Sequence, residues 1–398
     1  MLPRGLPRLS RRAWLAGAAI LGALALILAL QGLLRGPKEE QIIVARPSES
    51  PTTAPVIVQE TPTPKPSETP AAAATLEPSA RSLPYTRVET RAQLIELFWW
   101  MIETGANDVW LEKIDLSEDV VAEVSDKFSN YFDRYRFDAK TSEIIVAFKP
   151  GLAALLAIQQ GSVERLSGNV RNLAIQAQAA VDKLVRPGMS DVEKELAIHD
   201  FIDEHCVYQQ GKDDSHTADA LGFYLYGRCQ CAGYVDIFRL LGRLAGLEIE
   251  MVGGPTTRDT ADSKGHAWNL IRLDGLWYVV DCTWDDGPVI EHTFFNLPPS
   301  AFGSSRSWDQ TVCPKGEYAA VVDDHYYYAN AKYMAANSDQ VVTVAASQLD
   351  AGDSAYVYYT GAGSPGPAGS ALAARYGTLR AEVLSEDLTL KLYKLSGK

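Results

Sequence analysis

The 398-residue chain is 46% hydrophobic and 22% charged, which excludes a wholly disordered chain and a many-helix membrane transporter and leaves room for two or three folded units. Its formal charge is -13; residues 1–85 hold nine Lys/Arg against six Asp/Glu, so the remainder holds 28 against 44 and carries -16. A surface that acidic repels phosphate backbones and argues against nucleic-acid partners.

Residues 13–34 carry no charge. As a helix they would span roughly 33 Å, against about 30 Å of bilayer hydrocarbon. Arg4, Arg8, Arg11 and Arg12 precede them. The positive-inside rule therefore predicts a cytoplasmic amino end at 1–12, a transmembrane signal anchor at 13–34, and a main body tethered to the cell membrane outside the cytoplasm. Ser10, Arg11 and Arg12 before Trp14 and Leu15 also fit a twin-arginine export signal, whose cleavage would release a secreted protein. Residues 35–84 read as a Pro/Ser/Thr-rich linker: from 45 onward they hold nine prolines, no glycine and no aromatic residue, too little apolar area to offset the entropy of ordering.

Folded sequence begins near Tyr85. Leu94, Leu97, Phe98, Met101 and Ile102 follow helical spacing, Ser117 caps a second helix, 143–148 reads as a strand, and 162–184 as a further helix. These predict an N-terminal α/β subdomain over 85–187, with Trp99 and Trp100 in its core. Ser190 and Glu193 form a capping box for a helix reaching about Cys206. Beyond 300, residues 341–345, 355–360 and 388–395 read as strands around a Gly/Pro-rich break at 361–369, a small β-rich C-terminal region over 301–398. Tyr326, Tyr327 and Tyr328 fit a packed aromatic strand better than a carbohydrate platform.

Residues 227–286 carry the chemistry. Tyr234, Ile237, Phe238, Leu241 and Leu244 recur at three- and four-residue steps until Gly246, which places Cys231 at a helix amino terminus. The unsatisfied amides and dipole there favour thiolate over thiol. Gly233 lets another group approach closely. Residues 247–252 alternate like a strand, and 266–273 and 276–282 flank Asp274-Gly275, the strongest short hairpin signal. A two-residue turn makes pairing partners sum to 549, so Trp268 lies opposite Asp281 and His266 is its diagonal neighbour; a four-residue loop would set His266 opposite Asp281. Either register puts imidazole and carboxylate on one face. An aspartate accepting from one ring nitrogen fixes the tautomer, and the other nitrogen takes the thiol proton. Nucleophile, base and orienter thus follow in the order Cys231, His266, Asp281.

The motifs Cys231-Ala232-Gly233-Tyr234, His266-Ala267-Trp268-Asn269 and Asp281-Cys282-Thr283-Trp284-Asp285 resemble those of the transglutaminase-like superfamily of bacterial secreted or membrane-anchored proteins. Tyr208 and Phe294-Phe295-Asn296 also resemble family landmarks, so the likeness covers 188–300. It implies an α+β fold with a papain-like core, the nucleophile helix packed on an antiparallel sheet, and a Cys-His-Asp triad of Cys231, His266 and Asp281. It further implies acyl transfer on amide bonds, as transamidase, peptidase or amidase, with a protein or cell-wall peptide as substrate. The Cys231 amide is the natural oxyanion donor, with Gln230 or Tyr208 as a second, and Trp268 would shield the histidine. A catalytically inactive binding or scaffold module of the cell envelope is the alternative. No organic cofactor is implied. No metal is expected: Cys229, Cys231 and His266 lack a zinc spacing, and no calcium loop is present. Cys206, Cys229, Cys282 and Cys313 allow two disulfides outside the cytoplasm; three connectivities are open, and Cys206 with Cys229 is favoured because both border the helix pair. Cys282 is expected in the core, and His205, His216 and His292 as surface or structural residues.

Overall fold

The computed structural model describes residues 82–397 apart from 210–215, 258–264, 288, 366–367 and 387. The expected cytoplasmic end at 1–12, the span at 13–34 and nearly all of the 35–84 linker lie outside the described residues. Among those described, no helix is long and apolar enough to cross a membrane.

Helix α1 (Arg91–Thr104) starts at a capping box between Thr90 and Gln93 and stops at Gly105, whose φ of 75° suits a residue without Cβ. Its face of Leu94, Leu97, Phe98, Met101 and Ile102 is fully buried. With α2 (Glu118–Asp126) it lies in one core with a three-stranded antiparallel sheet ordered β1 (Asp108–Trp110), β3 (Glu143–Phe148), β2 (Phe132–Asp138). Trp99 packs edge-on against Phe128 and Tyr131.

Next come α3 (Pro150–Gln159) and α4 (Gly168–Leu184), the latter preceded by a short 3-10 turn at Val163–Arg165. The sequence pattern missed α3, because its apolar residues run all round the helix and show no face. That distribution has a structural reason. Leu152 and Leu156 enter the first core while Ala154 and Leu155 enter the second, so α3 ties the expected 85–187 subdomain to the helices beyond it and no core boundary falls at 187.

The second core is built on α5 (Asp191–His205), begun by the Ser190–Glu193 capping box, α6 (Ala220–Tyr226) and α7 (Cys231–Leu244). Helix α7 buries Tyr234, Val235, Ile237, Phe238, Leu240 and Leu241, each worth roughly 1.5–3 kcal/mol. It packs on a four-stranded sheet ordered Glu317–Tyr318, β6 (Leu276–Val280), β5 (His266–Leu273), β4 (Glu248–Gly254). Strands β4, β5 and β6 are antiparallel, and Leu273 pairs with Leu276 across the two-residue turn. Asp274 and Gly275 both take positive φ, 48° and 89°, as a type I′ turn demands.

The sheet's two faces feed two cores. Ile271, Leu273, Tyr278 and Val280 join α7, whereas Trp268, Leu270, Trp277 and Val279 join Phe294, Leu297, Phe302, Tyr326 and Tyr328. The three tyrosines pack as expected but in turns, not a strand. The region from 301 therefore begins as part of the main body.

Two further corrections fall at the carboxyl end. Residues 341–345, expected as a strand, lie in α9 (Ser338–Leu349). Their β-branched run mimics a strand, but the Asn337 side chain accepts from the Gln340 amide as an N-cap, and Val341 and Ala345 are buried one turn apart. The segment expected at 388–395 is strand only at β9 (Leu392–Gly397). It pairs with β7 (Ser354–Tyr359) and β8 (Leu379–Val383) in a second four-stranded sheet that carries α9 and α10 (Ala368–Tyr376), so the expected β-rich region is a mixed one.

Candidate active site

Cys231 opens α7, with Gln230 at the N-cap position making no side-chain cap bond. The first amides of a helix have no partner within it and offer donors to a developing anion. The start of the helix is anchored from behind: the Gln230 amide donates to the Thr217 carbonyl at 2.7 Å. A Cβ at Gly233 would lie 2.5 Å from that same carbonyl oxygen and 2.8 Å from Cys229 Sγ. On the next turn the buried Asp236 carboxylate accepts from the amides of Ala220 and Gly151, at 2.9 and 3.1 Å, pinning the starts of α6 and α3 to α7.

Cys231 is half-buried, and its thiol lies against the His266 ring and the Ala267 amide. Burial pushes the thiol up, but the hydrogen bond and charge of His266 outweigh it, and the group lies below its ordinary value. His266 Nε2 donates to Asp281 Oδ2 at 2.8 Å. That leaves Nδ1 as the nitrogen for the thiol. Burial alone would lower the imidazole, yet the charge and hydrogen bond of Asp281, followed by those of Cys231, raise it to about 9. The two shifts, thiol down and imidazole up, both favour the thiolate–imidazolium form of the pair.

Asp281 ends β6 and caps α8 (Cys282–Asp285), its Oδ1 accepting from the Trp284 amide at 3.2 Å. Its Oδ2 also meets Arg306 Nη2 at 2.7 Å, with both side chains almost wholly buried. Burial would raise this carboxyl, but His266 and Arg306 hold it down at about 2. The Arg306 guanidinium lies over the Trp284 ring at 3.8 Å, with Phe302 at 4.6 Å and Trp268 at 5.0 Å. Trp284 in turn stacks on His266, ring centroids 4.9 Å apart and planes 17° from parallel.

The structure thus brings Cys231, His266 and Asp281 together, with His266 hydrogen-bonded to Asp281 and next to the Cys231 thiol. Tyr208 stands beside them, 40% exposed; burial, followed by the charges of Cys231 and Asp281, raises its phenol. Gln230 sits at the helix start. Trp268, expected to shield the histidine, is fully buried on the same face of the sheet, its ring centroid 6.0 Å from that of His266 and with Arg306 against its ring. Trp284 is the ring that covers His266. It lies inside the Asp-x-Thr-Trp-Asp motif and was legible there as a residue, though not in this role. Arg306 has no local signal, being an isolated arginine in an irregular segment 25 positions beyond Asp281. The five cysteines are free thiols, so the expected Cys206–Cys229 bond is absent; the two are neighbours in the core instead. Cys282 is buried in that core as expected. His292, expected as a surface or structural residue, is buried and bonded to Asp200 at 2.7 Å.

The family model of the transglutaminase-like superfamily matches residues 178–282. Kyphoscoliosis peptidase of Mus musculus is 26% identical over 138 residues, which are 32% of this chain and 21% of the relative. Kyphoscoliosis peptidase of Homo sapiens is 28% identical over 129 residues, 29% of this chain and 20% of the relative. The chain therefore spans about a fifth of the length of these curated relatives. A solved structure described as a TGase is 15% identical, with 45% of this chain and 51% of that chain covered and a TM-score of 0.25.

Proposed function

The chain carries a transglutaminase-like superfamily domain at residues 178–282, and from this we propose that it is a thiol-dependent acyl-transfer enzyme acting on amide bonds of protein or peptide substrates. In this reading Cys231 is the nucleophile, His266 the acid and base, and Asp281 the orienter. The observation that carries it is the line from a half-buried helix-terminal cysteine through His266 to an Asp281 carboxylate 2.8 Å away. The name peptidase borne by the curated relatives points the same way.

The thiolate adds to the amide carbonyl, and the oxyanion meets the amides at the start of α7. As the C–N bond breaks, the proton on His266 Nδ1 passes to the departing nitrogen, and a thioester remains on Cys231. Water or a second amine then adds to the thioester, gives its proton back to His266, and expels the thiolate. Asp281 keeps its charge throughout, because Arg306 opposes its protonation. The sequence expectation of a tethered, extracytoplasmic body fits a substrate in the envelope, a protein or a cell-wall peptide.

The test incubates the purified protein with a library of glutamine-containing peptides and a labelled amine, scoring both amine incorporation and hydrolysis, with Cys231→Ala as control. The substitution is expected to bring either activity to background while leaving the thermal unfolding curve in place. Iodoacetamide near neutral pH should label Cys231 well ahead of the other four thiols. A rate unchanged in Cys231→Ala would remove Cys231 from the mechanism, and a Cys231 no more reactive than the buried thiols would favour a binding module.

A further inference from the structure

A second cluster of ionisable side chains lies against α8 and takes no part in that chemistry. His199 and Asp200 are neighbours on α5, while His292 comes from the irregular segment after α8. Both rings meet one oxygen: Asp200 Oδ1 lies 3.2 Å from His199 Nδ1 and 2.7 Å from His292 Nε2. The three donor atoms all lie within 4.8 Å of one another.

We infer that His199 Nδ1, Asp200 Oδ1 and His292 Nε2 form a binding site for one divalent transition-metal ion of the zinc class. Two imidazoles and one carboxylate are the donor set such ions take, at roughly 2.0–2.2 Å from each ligand. An ion of that reach touches all three after small side-chain rotations.

The groups behind the donors support this. His199 Nε2 faces Asp285 Oδ2 at 3.3 Å and Asp203 Oδ2 at 3.6 Å. A carboxylate holding the far N–H of a histidine leaves the near nitrogen's lone pair for a metal and fixes the ring. The His292 ring lies flat on Tyr327, centroids 3.9 Å apart and planes 13° from parallel. Among the described residues neither Asp203 oxygen has a hydrogen-bond partner, although that side chain is wholly buried. Three carboxyl groups, Asp200, Asp203 and Asp285, thus converge on two imidazoles. Asp200 is 37% exposed whereas the His199 side chain is 0% exposed, so the site opens to solvent on the carboxylate side, where water completes the coordination. A metal-free network with protonated histidines is the competing arrangement, and binding separates the two.

The test uses the full chain with Cys231→Ser, so that the reactive thiol does not compete for metal. The protein is stripped with a chelator, equilibrated with Zn²⁺ and measured by metal analysis and calorimetry; Co²⁺ loading reads the ligand field. One ion per chain, with an upward Tm shift that chelator reverses, is expected. Asp200→Asn and His292→Ala should abolish stoichiometric uptake, and Asp285→Asn should weaken it by roughly 10–100-fold. His325→Ala, in the separate Asp323, Asp324 and His325 group, should leave it unchanged. Failure of the stripped chain to take up an ion overturns the inference without recourse to any variant. Equal uptake by a correctly folded Asp200→Asn, or loss in His325→Ala, overturns it as well. Because the readout is binding, its failure leaves the proposed thiol chemistry untouched.

Discussion

Asp281 has three tasks in one side chain: it accepts a hydrogen bond from His266 Nε2, caps α8 and neutralises Arg306. Removing one partner of a buried ion pair strands the other charge, so Arg306→Met should cost about 3–5 kcal/mol in denaturant unfolding. Loss of under 1 kcal/mol would mean the pair is dispensable. The raised histidine sets the pH behaviour. Rates should fall on the alkaline side near pH 9, where the imidazolium is lost. Asp281→Asn should bring that limb down towards the ordinary histidine value of about 6.5, and a limb that stays in place would contradict the assignment. The same groups bias stability with opposite signs. His266, raised on folding, stabilises fully below its unfolded value, and that contribution is lost as pH climbs through about 9. Asp281, depressed on folding, stabilises above its unfolded value, and its contribution disappears as pH drops through about 2.

Among the elements, α7 is held from three directions by short contacts that sequence periodicity does not reveal. Asp236 fastens two other helix starts, and a Cβ on Gly151 would come within 2.3 Å of its Oδ1. Gly151→Ala should therefore cost about 1–3 kcal/mol by overpacking and disturb the thiol's reactivity; retention of full iodoacetamide reactivity and stability would refute this. The capped helices and the hairpin were legible because their signals are local: Ser190 with Glu193, Ser117 at the start of α2, and Asp274 with Gly275 each act within a few residues. Helix α3 and the strand-like run at 341–345 were not, since one is apolar on every side and the other is helical through its cap and burial. Local composition alone ranks those choices wrongly.

At the level of the whole described chain, the segment beyond 300 closes the face of the sheet that carries His266 and Asp281. Phe302, Tyr326, Tyr328 and Leu392 share one core with Trp268 and Trp277, and Arg306 reaches the site from the same side. A chain ending at residue 300 should consequently lack a cooperative unfolding transition and bind a hydrophobic dye; a sharp thermal transition in that fragment would show the face to be self-sufficient. From the residue order one could read that the Cys231 thiol opens a helix and that His266 and Asp281 share a hairpin face, because thiol position, turn type and strand alternation are properties of neighbours along the chain. The packing alone set Arg306 and Trp284 beside those side chains and gathered His199, Asp200 and His292 around one oxygen. Contacts between segments tens of residues apart depend on how whole elements stack, and no short stretch of sequence encodes that.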